Sequence, residues 1–514
     1  MARFFNTTGP CDPRKHYMLP PERRLPSLST LVERELYYVV RAPRQTGKTT
    51  AMRAFGARLR AQGHAAVYAT LETSQGFTSV EEAEPLWIDA LSYAAEGQLP
   101  VELRPPALAD GPAGARLQRW LGRWCEAVAP RKVVLLLDEA DVIEGPALVS
   151  LLRQLRAGFI ERPDRFPASI ALIGMRELRD YLARDASGTP VSPGSPFNIK
   201  SESLTLRSFT EPEVAELYGQ HTADTGQAFS PEAIARAWWW TRGQPFLVNA
   251  LAARCVDDIA TGGRVVTAAD VDAAKDALVN ARTTHLYSLA ERLKEPRVAA
   301  IVQAVLTGDL SVPYEHDDFQ YVVDMGLIVK GADGAEPACP LYREILARQL
   351  TWNTQENLAR PWWVWRTPDG RLDLPALIDA FLVWWRENCD ALVADVPLYP
   401  EAVPHIAFMA FLQRVVNGGG RVVREYAAGR KALDLLVEYG DDRFVIEIKR
   451  VRPRDAVDTV AAAAVTQVCG YLDTVGAREG WVLLFDQHPG RSWEERLWRR
   501  TVDVDGARVH LYGA

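Results

Sequence analysis

Two short runs in this 514-residue chain carry residue types suited to phosphate and metal chemistry. The first is Ala42, Pro43, Arg44, Gln45, Thr46, Gly47, Lys48, Thr49 and Thr50. A glycine at 47 lets backbone approach an anion, and the N–H groups that open a helix cradle phosphate. The Lys48 ammonium suits β- and γ-phosphates, and the Thr49 hydroxyl suits Mg2+. Two acids follow at Asp138 and Glu139, fitted to hold that Mg2+ through water and to activate an attacking water. Arg176, after Met175, is placed to sense a γ-phosphate and offset transition-state charge, unless it is an ordinary surface arginine. The second run is FVIEIKR, Phe444 to Arg450, with Glu447 and Lys449 two residues apart. Alone it reads either as a strand running out to solvent or as the metal-and-lysine edge of a hydrolytic site.

The elements that position these residues are legible from periodicity. ELYYVV is a strand, the loop follows directly, and AMRAFGARLRAQG is a helix closed by Gly63. This strand, loop and helix match the P-loop pattern, except that Ala42 stands where the first glycine usually sits. HAAVYATLE, RKVVLLLDEAD and ASIALIG are further strands, and a parallel sheet binds ligands beyond the carboxyl ends of its strands, where Asp138 and Glu139 fall. Thr210 and Glu213 have capping-box spacing ahead of a helical stretch. Near the other end, KALDLLVEYGDDRFVIEIKR reads as two strands around a Gly440-Asp441 turn. A loop centred there pairs positions whose numbers sum to 881, which sets Asp434 opposite Glu447. Carboxylates about 5 Å apart across a ladder repel unless a cation lies between them, and a divalent metal supplies that charge. Alternation puts Val445, Glu447 and Lys449 on one face and Phe444, Ile446 and Ile448 on the other.

The motifs APRQTGKTT, LLLDEAD, LIGMRELRDY and RGQPFL together resemble the P-loop ATPases of the AAA-like and STAND type over residues 1–350. That resemblance implies ATP and Mg2+ as cofactors. It also implies a helical lid whose Gly243-Gln244-Pro245 approaches the nucleotide, with Pro245 in the binding set, and it likens YMLPPERRLP to the segment that packs near adenine. Asp434 followed by Glu447-x-Lys449 resembles the PD-(D/E)XK nucleases over residues 395–490. By that resemblance Asp434 and Glu447 hold Mg2+, or Mn2+, Lys449 positions the attacking water or stabilises the pentavalent phosphate, and Gln467, with Tyr471 one turn on, lies near the site. Glu425 is a further ligand or helper, and Leu433 replaces the usual proline. Arg450, Arg452 and Arg454 suit a phosphate backbone or, equally, a solvated loop.

The chain is therefore expected to be an α/β multidomain protein. Its expected parts are an ATPase core at 1–208, a helical lid at 209–285, a winged-helix-like domain at 286–354, a helical connector at 355–394 and a nuclease-like domain at 395–514. EHDDFQYVVDMG is acidic where a recognition helix needs Arg or Lys, so the winged helix reads as structural or regulatory. Trp238 to Trp240, Trp362, Trp363, Trp365, Trp384 and Trp385 read as domain-interface residues ahead of base-stacking platforms, because the flanking charge is mixed. A net charge of −7 means that nucleic acid must be held by local basic clusters, not by the field of the whole chain. No apolar run spans a bilayer, no signal peptide or CxxC pair is evident, and the expectation is a reduced cytoplasmic protein without a membrane. The expected function is an ATP-controlled metal-dependent nuclease acting on nucleic acid, DNA before RNA, with homo-oligomers left open. The alternative is a signalling or scaffold ATPase whose last domain binds nucleic acid or a partner without cutting.

Overall fold

The computed structural model describes residues 3–107, 111–174, 200–280, 292–307, 316–331, 334–350, 371–395, 420–428 and 431–514, with residues 367, 369, 407–408 and 411–412. They form two compact units, Met1–Thr283 with Tyr314–Leu341, and Thr284–Pro313 with Tyr342–Ala514. Among the described residues no helix is long and apolar enough to cross a membrane.

The first unit is built on five parallel strands in the order β2-β3-β4-β1-β5. A short helix α1 (Leu28–Glu33) precedes β1 (Tyr37–Arg41), and α2 (Lys48–Ala61) leads to β2 (Ala65–Thr70). Then come α3 (Val80–Gln98), α4 (Arg116–Val128), β3 (Val133–Asp138), α5 (Gly145–Gly158), β4 (Ser169–Gly174) and β5 (Lys200–Thr205). Strands buried on both faces read as continuous apolar runs, and every residue of β3 and β4 is buried. Val39, Val67, Leu135 and Leu172 face α3, α4 and α5, while Val40, Ala66, Leu136 and Ile173 face α1 and α2. Helices on both faces hold the carboxyl ends of β1, β3 and β4 together at one edge of the sheet.

Four helices follow: α6 (Glu211–Thr225), α7 (Pro231–Thr241), α8 (Pro245–Arg254) and α9 (Ala268–Asn280). The Thr210–Glu213 capping box forms as expected at the start of α6. Of the three consecutive tryptophans, Trp240 is buried, its Nε1 donating to Asp272 at 2.6 Å, while Trp239 is 41% exposed. Beyond α9 come α10 (Pro296–Thr307), α11 (His316–Asp324), the hairpin β6 (Ile328–Gly331) and β7 (Gly334–Pro337), and α12 (Pro340–Leu350). The expected helix, helix, strand and helix order is present. Its α11 and hairpin belong to the first unit and α10 to the second.

The second unit centres on a six-stranded mixed sheet in the order β12-β13-β11-β10-β9-β8. Helix α13 (Leu374–Asp395) comes first, then β8 (Gly420–Ala428), β9 (Lys431–Tyr439) and β10 (Asp442–Val451). Helix α14 (Val457–Val475) crosses to β11 (Glu479–Asp486), which pairs parallel to β10, and β12 (Arg499–Val504) and β13 (Ala507–Gly513) complete the sheet. Ile446, Ile448, Leu483 and Phe485 pack against α13, and Val445, Val451, Val482 and Leu484 against α14. Trp385 stacks on Phe381 and the half-buried Trp384 lies tilted against Phe411 in the α13 core. The interface reading is corrected for this pair, because the 22-residue helix turns that aromatic face inward onto its own sheet. Trp362, Trp363 and Trp365 lie outside the described residues.

Candidate functional site

The loop between β1 and α2 is shaped by two left-handed residues, Gln45 at φ 57° and Gly47 at φ 86°, the latter capping α2. Ala42 is not among the left-handed positions and is 1% exposed, its methyl packed in the core beside Ile173. The departure from glycine therefore costs the loop nothing in backbone geometry. Lys48 reaches back across the loop, donating from Nζ to the carbonyls of Ala42 at 2.7 Å and Pro43 at 2.9 Å. Burial lowers its pKa, and Asp138, Glu139 and Asp141 oppose that shift. The Thr46 hydroxyl donates to the Pro43 carbonyl at 2.8 Å and closes the turn.

Asp138 ends β3 at 1% exposure, and buried carboxylates need hydrogen-bond donors. Its Oδ2 accepts from the Thr49 hydroxyl at 2.9 Å and from the Tyr68 hydroxyl at 2.5 Å, and its Oδ1 accepts from the Glu139 N–H at 3.0 Å. Glu139 sits at φ 54°, a conformation that costs a non-glycine residue about 1–3 kcal/mol and is typical of functional sites. Burial raises its carboxyl pKa, with the charges of Asp141 and Asp138 adding to the shift. Asp141 is itself buried against the end of β4, where a Cβ on Gly174 would lie 2.8 Å from its Cγ. Lys48, Thr49, Asp138 and Glu139 are thus brought together, and Thr49 and Asp138 are the pair that would hold an Mg2+ accompanying a nucleotide.

Sequence reasoning missed Tyr68, Asp141 and Gly174. Asp141 was visible in LLLDEAD, and Gly174 ends the apolar strand ASIALIG. Tyr68 gave no signal, since it reaches Asp138 only through the pairing of β2 with β3.

Several distant segments meet the same loop. The Gln244 side chain caps α8 by accepting from the Leu247 N–H at 2.7 Å and donates to the Gln45 carbonyl at 3.3 Å. Pro245, expected in the nucleotide set, is the buried first residue of α8. The Cys11 N–H donates to the Thr50 hydroxyl at 3.0 Å. Arg24, from the adenine-segment resemblance, lies 3.5 Å from where a Cβ on Gly47 would be, and burial together with Arg207 pushes its pKa down to about 10. Pro43 meets the turn after α11, where a Cβ on Gly326 would fall 2.6 Å from the proline ring. The side chain of Arg44 contributes to the site's field, lowering the Glu139 carboxyl pKa. Met175 and Arg176 lie outside the described residues.

In the second unit, β9 and β10 pair antiparallel from Asp442↔Tyr439 to Ile446↔Leu435, a register in which paired numbers sum to 881. Asp434 is the next residue of β9, and the side chains of Asp434 and Glu425 lie outside what is described. Glu447 is fully buried and its Oε1 accepts from Lys449 Nζ at 2.5 Å, the lysine side chain being 31% exposed. Gln467 donates from Nε2 to the Tyr471 hydroxyl at 3.1 Å, and Tyr471 packs with Val445 and Val451 on the face that Glu447 shares. Arg450, near the end of β10, and Arg452, just beyond it, are half-buried, and Arg454 is exposed. Among the described residues no group of three or more His, Cys, Asp or Glu is gathered to hold a metal.

Within the first unit, the five-stranded parallel sheet and the helices on its faces form an α/β P-loop ATPase core. Residues 32–182 match the family model described as an AAA domain, so this segment is an AAA-type, ATP-binding domain. Similar solved structures include a Walker-type ATPase of Pyrococcus abyssi, 15% identical over 66% of this chain and 99% of that one, with a TM-score of 0.48. The ORC2 protein of Aeropyrum pernix, in ADPNP–ADP complexes, is 12% identical over 65% and 92%, with a TM-score of 0.40. The RuvB Holliday junction branch migration motor of Thermotoga maritima is 14% identical over 63% and 92%, with a TM-score of 0.35. At these values the likenesses add no argument about what this chain does. No curated protein matches it.

Proposed function

We propose that this chain is an ATP-hydrolysing switch whose nucleotide state controls a metal-dependent nuclease in its last domain, acting on DNA. In this reading the ATP site lies within the core expected at 1–208, the nuclease site lies after residue 395, and homo-oligomers stay open. In the ATPase half, Lys48 and the loop N–H groups bind the β- and γ-phosphates, with Thr49 and Asp138 holding Mg2+. When bound, that ion neutralises charge developing on the phosphate oxygens. Glu139 takes a proton from the attacking water as the new oxygen–phosphorus bond forms, and the bond from the γ-phosphorus to the bridging oxygen breaks, leaving ADP and phosphate. Arg176 and Pro245 complete the nucleotide set in this reading.

In the nuclease half, Asp434 and Glu447 hold Mg2+ or Mn2+, with Lys449 and Gln467 orienting water for attack on a phosphodiester. The observation that carries the reading is the buried Glu447 bonded to Lys449 on the sheet face that receives Gln467 and Tyr471. Burying a carboxylate is costly unless it is paired, and a buried acid with a specific charge partner is a functional-site candidate.

The test incubates the purified chain with linear, circular and single-stranded DNA and with RNA, in Mg2+ or Mn2+, with and without ATP. Cleavage that requires the metal, is lost in Glu447→Ala and responds to ATP only when Lys48 is intact supports the proposal. No cleavage of any substrate, or a Glu447→Ala protein that cuts like the wild type, removes it. A gel shift without cleavage replaces it with the scaffold ATPase.

A further inference from the structure

A carboxylate offers about four acceptor directions, and the bonds from the Glu139 N–H, the Thr49 hydroxyl and the Tyr68 hydroxyl occupy most of those on Asp138. Thr49 and Glu139 are expected neighbours of such an acid. Tyr68 is not, and its 2.5 Å bond is the shortest of the three. An ordinary phenol is a hydrogen-bond donor throughout the neutral range. The residue is also clamped from behind. Gln98, at the end of α3, accepts from the Tyr68 N–H at 3.1 Å and donates to its carbonyl at 2.7 Å, serving β2 as a strand partner on its open edge. Arg60 in turn holds Gln98, donating to its Oε1 at 3.0 Å. A phenol anchored through its own backbone fixes the plane of the carboxylate it binds.

We propose that Tyr68 is a positioning residue of the nucleotide site, orienting Asp138 so that its remaining acceptor direction receives a water of the Mg2+ that accompanies ATP. The proposal rests on the ATP-site reading above. It makes Gln98 a more remote support of the same geometry.

The experiment measures binding of a fluorescent ATP analogue to the full chain, in EDTA and across a Mg2+ titration. A hydrogen bond to a charged group is worth enough to shift an equilibrium about tenfold. Tyr68→Phe is therefore expected to raise the Mg2+ concentration for half-maximal tightening about tenfold while binding in EDTA stays at the wild-type value. Gln98→Ala is expected to move the curve in the same direction by less. In steady-state turnover the same Tyr68→Phe shift should appear in the Mg2+ requirement and fade at saturating Mg2+. A Tyr68→Phe curve that superimposes on the wild type overturns the proposal, as does an equal loss of binding with and without Mg2+, which marks a merely structural role. Thr49→Ala and Asp138→Ala separate the two readings. If they shift the Mg2+ curve and Tyr68→Phe does not, only the role of Tyr68 falls. If the wild type shows no Mg2+ effect at all, the ATP-site reading falls with it.

Discussion

Replacing Lys449 by methionine tests the Glu447 environment more sharply than replacing Glu447 itself. The substitution keeps much of the side chain's length and removes the ammonium 2.5 Å from a carboxylate that has no solvent exposure. Breaking a buried ion pair by deleting one partner costs about 3–5 kcal/mol, and the partly wet lysine places this pair at the lower end, about 3 kcal/mol. For a unit in the 150–250-residue class, where 1 kcal/mol moves Tm by about 2–4 °C, the melting transition of the second unit should fall by about 6–12 °C. Glu447→Gln, which removes the charge itself, should cost less. A metal site adds a second expectation, because a divalent cation binding only the folded form stabilises it by mass action. Millimolar Mn2+ should return most of the lost Tm to Lys449→Met and none to the Glu447→Gln, Lys449→Met double variant. The assay is differential scanning fluorimetry with and without EDTA. A Lys449→Met protein that melts with the wild type, or whose loss Mn2+ leaves untouched, refutes the reasoning.

Three further outcomes are expected. Lys48→Ala, which removes the cation between the loop and the phosphates, should weaken ATP-analogue binding about a hundredfold, as loss of about 3 kcal/mol of charge-assisted hydrogen bonding implies. ATP turnover should fall on the acid side at a pH above the ordinary carboxylate range: burial and the neighbouring acids favour protonated Glu139, so the base is lost as pH drops through a raised pKa, and Glu139→Gln should abolish that limb of the kcat profile. Thr210→Ala removes the cap of α6 and should lower the stability of the first unit by about 1 kcal/mol in denaturant unfolding.

The ATPase half was legible because its signals are local. The apolar strands, the helix that begins at Lys48 and the Thr210 capping box each depend on residues a few positions apart. The hairpin register was legible for a similar reason, since the two-residue turn at Gly440-Asp441 fixes every later pair of β9 and β10. What escaped were contacts made by chain segments far apart in sequence. Gly174 has to lack a side chain because Asp141 occupies that volume, and only the pairing of β3 with β4 brings the two strand ends together. Tyr68 reaches Asp138 across 70 positions. The role assigned to Trp384 and Trp385 failed because their mixed-charge flanks say nothing about which side of a long helix faces its own sheet.

The fit of Gly326 against Pro43 has a consequence for dissecting this chain. A Cβ at 326 would collide with the proline ring, and the residue sits at φ 75°, so the turn is matched to the nucleotide loop in both volume and backbone. A fragment that stops after α9 would keep every residue of the β1–α2 loop and still lose the turn that packs on Pro43. The smallest piece that reproduces the native loop must extend through Gly326, and kinetics measured on anything shorter would describe a differently supported enzyme.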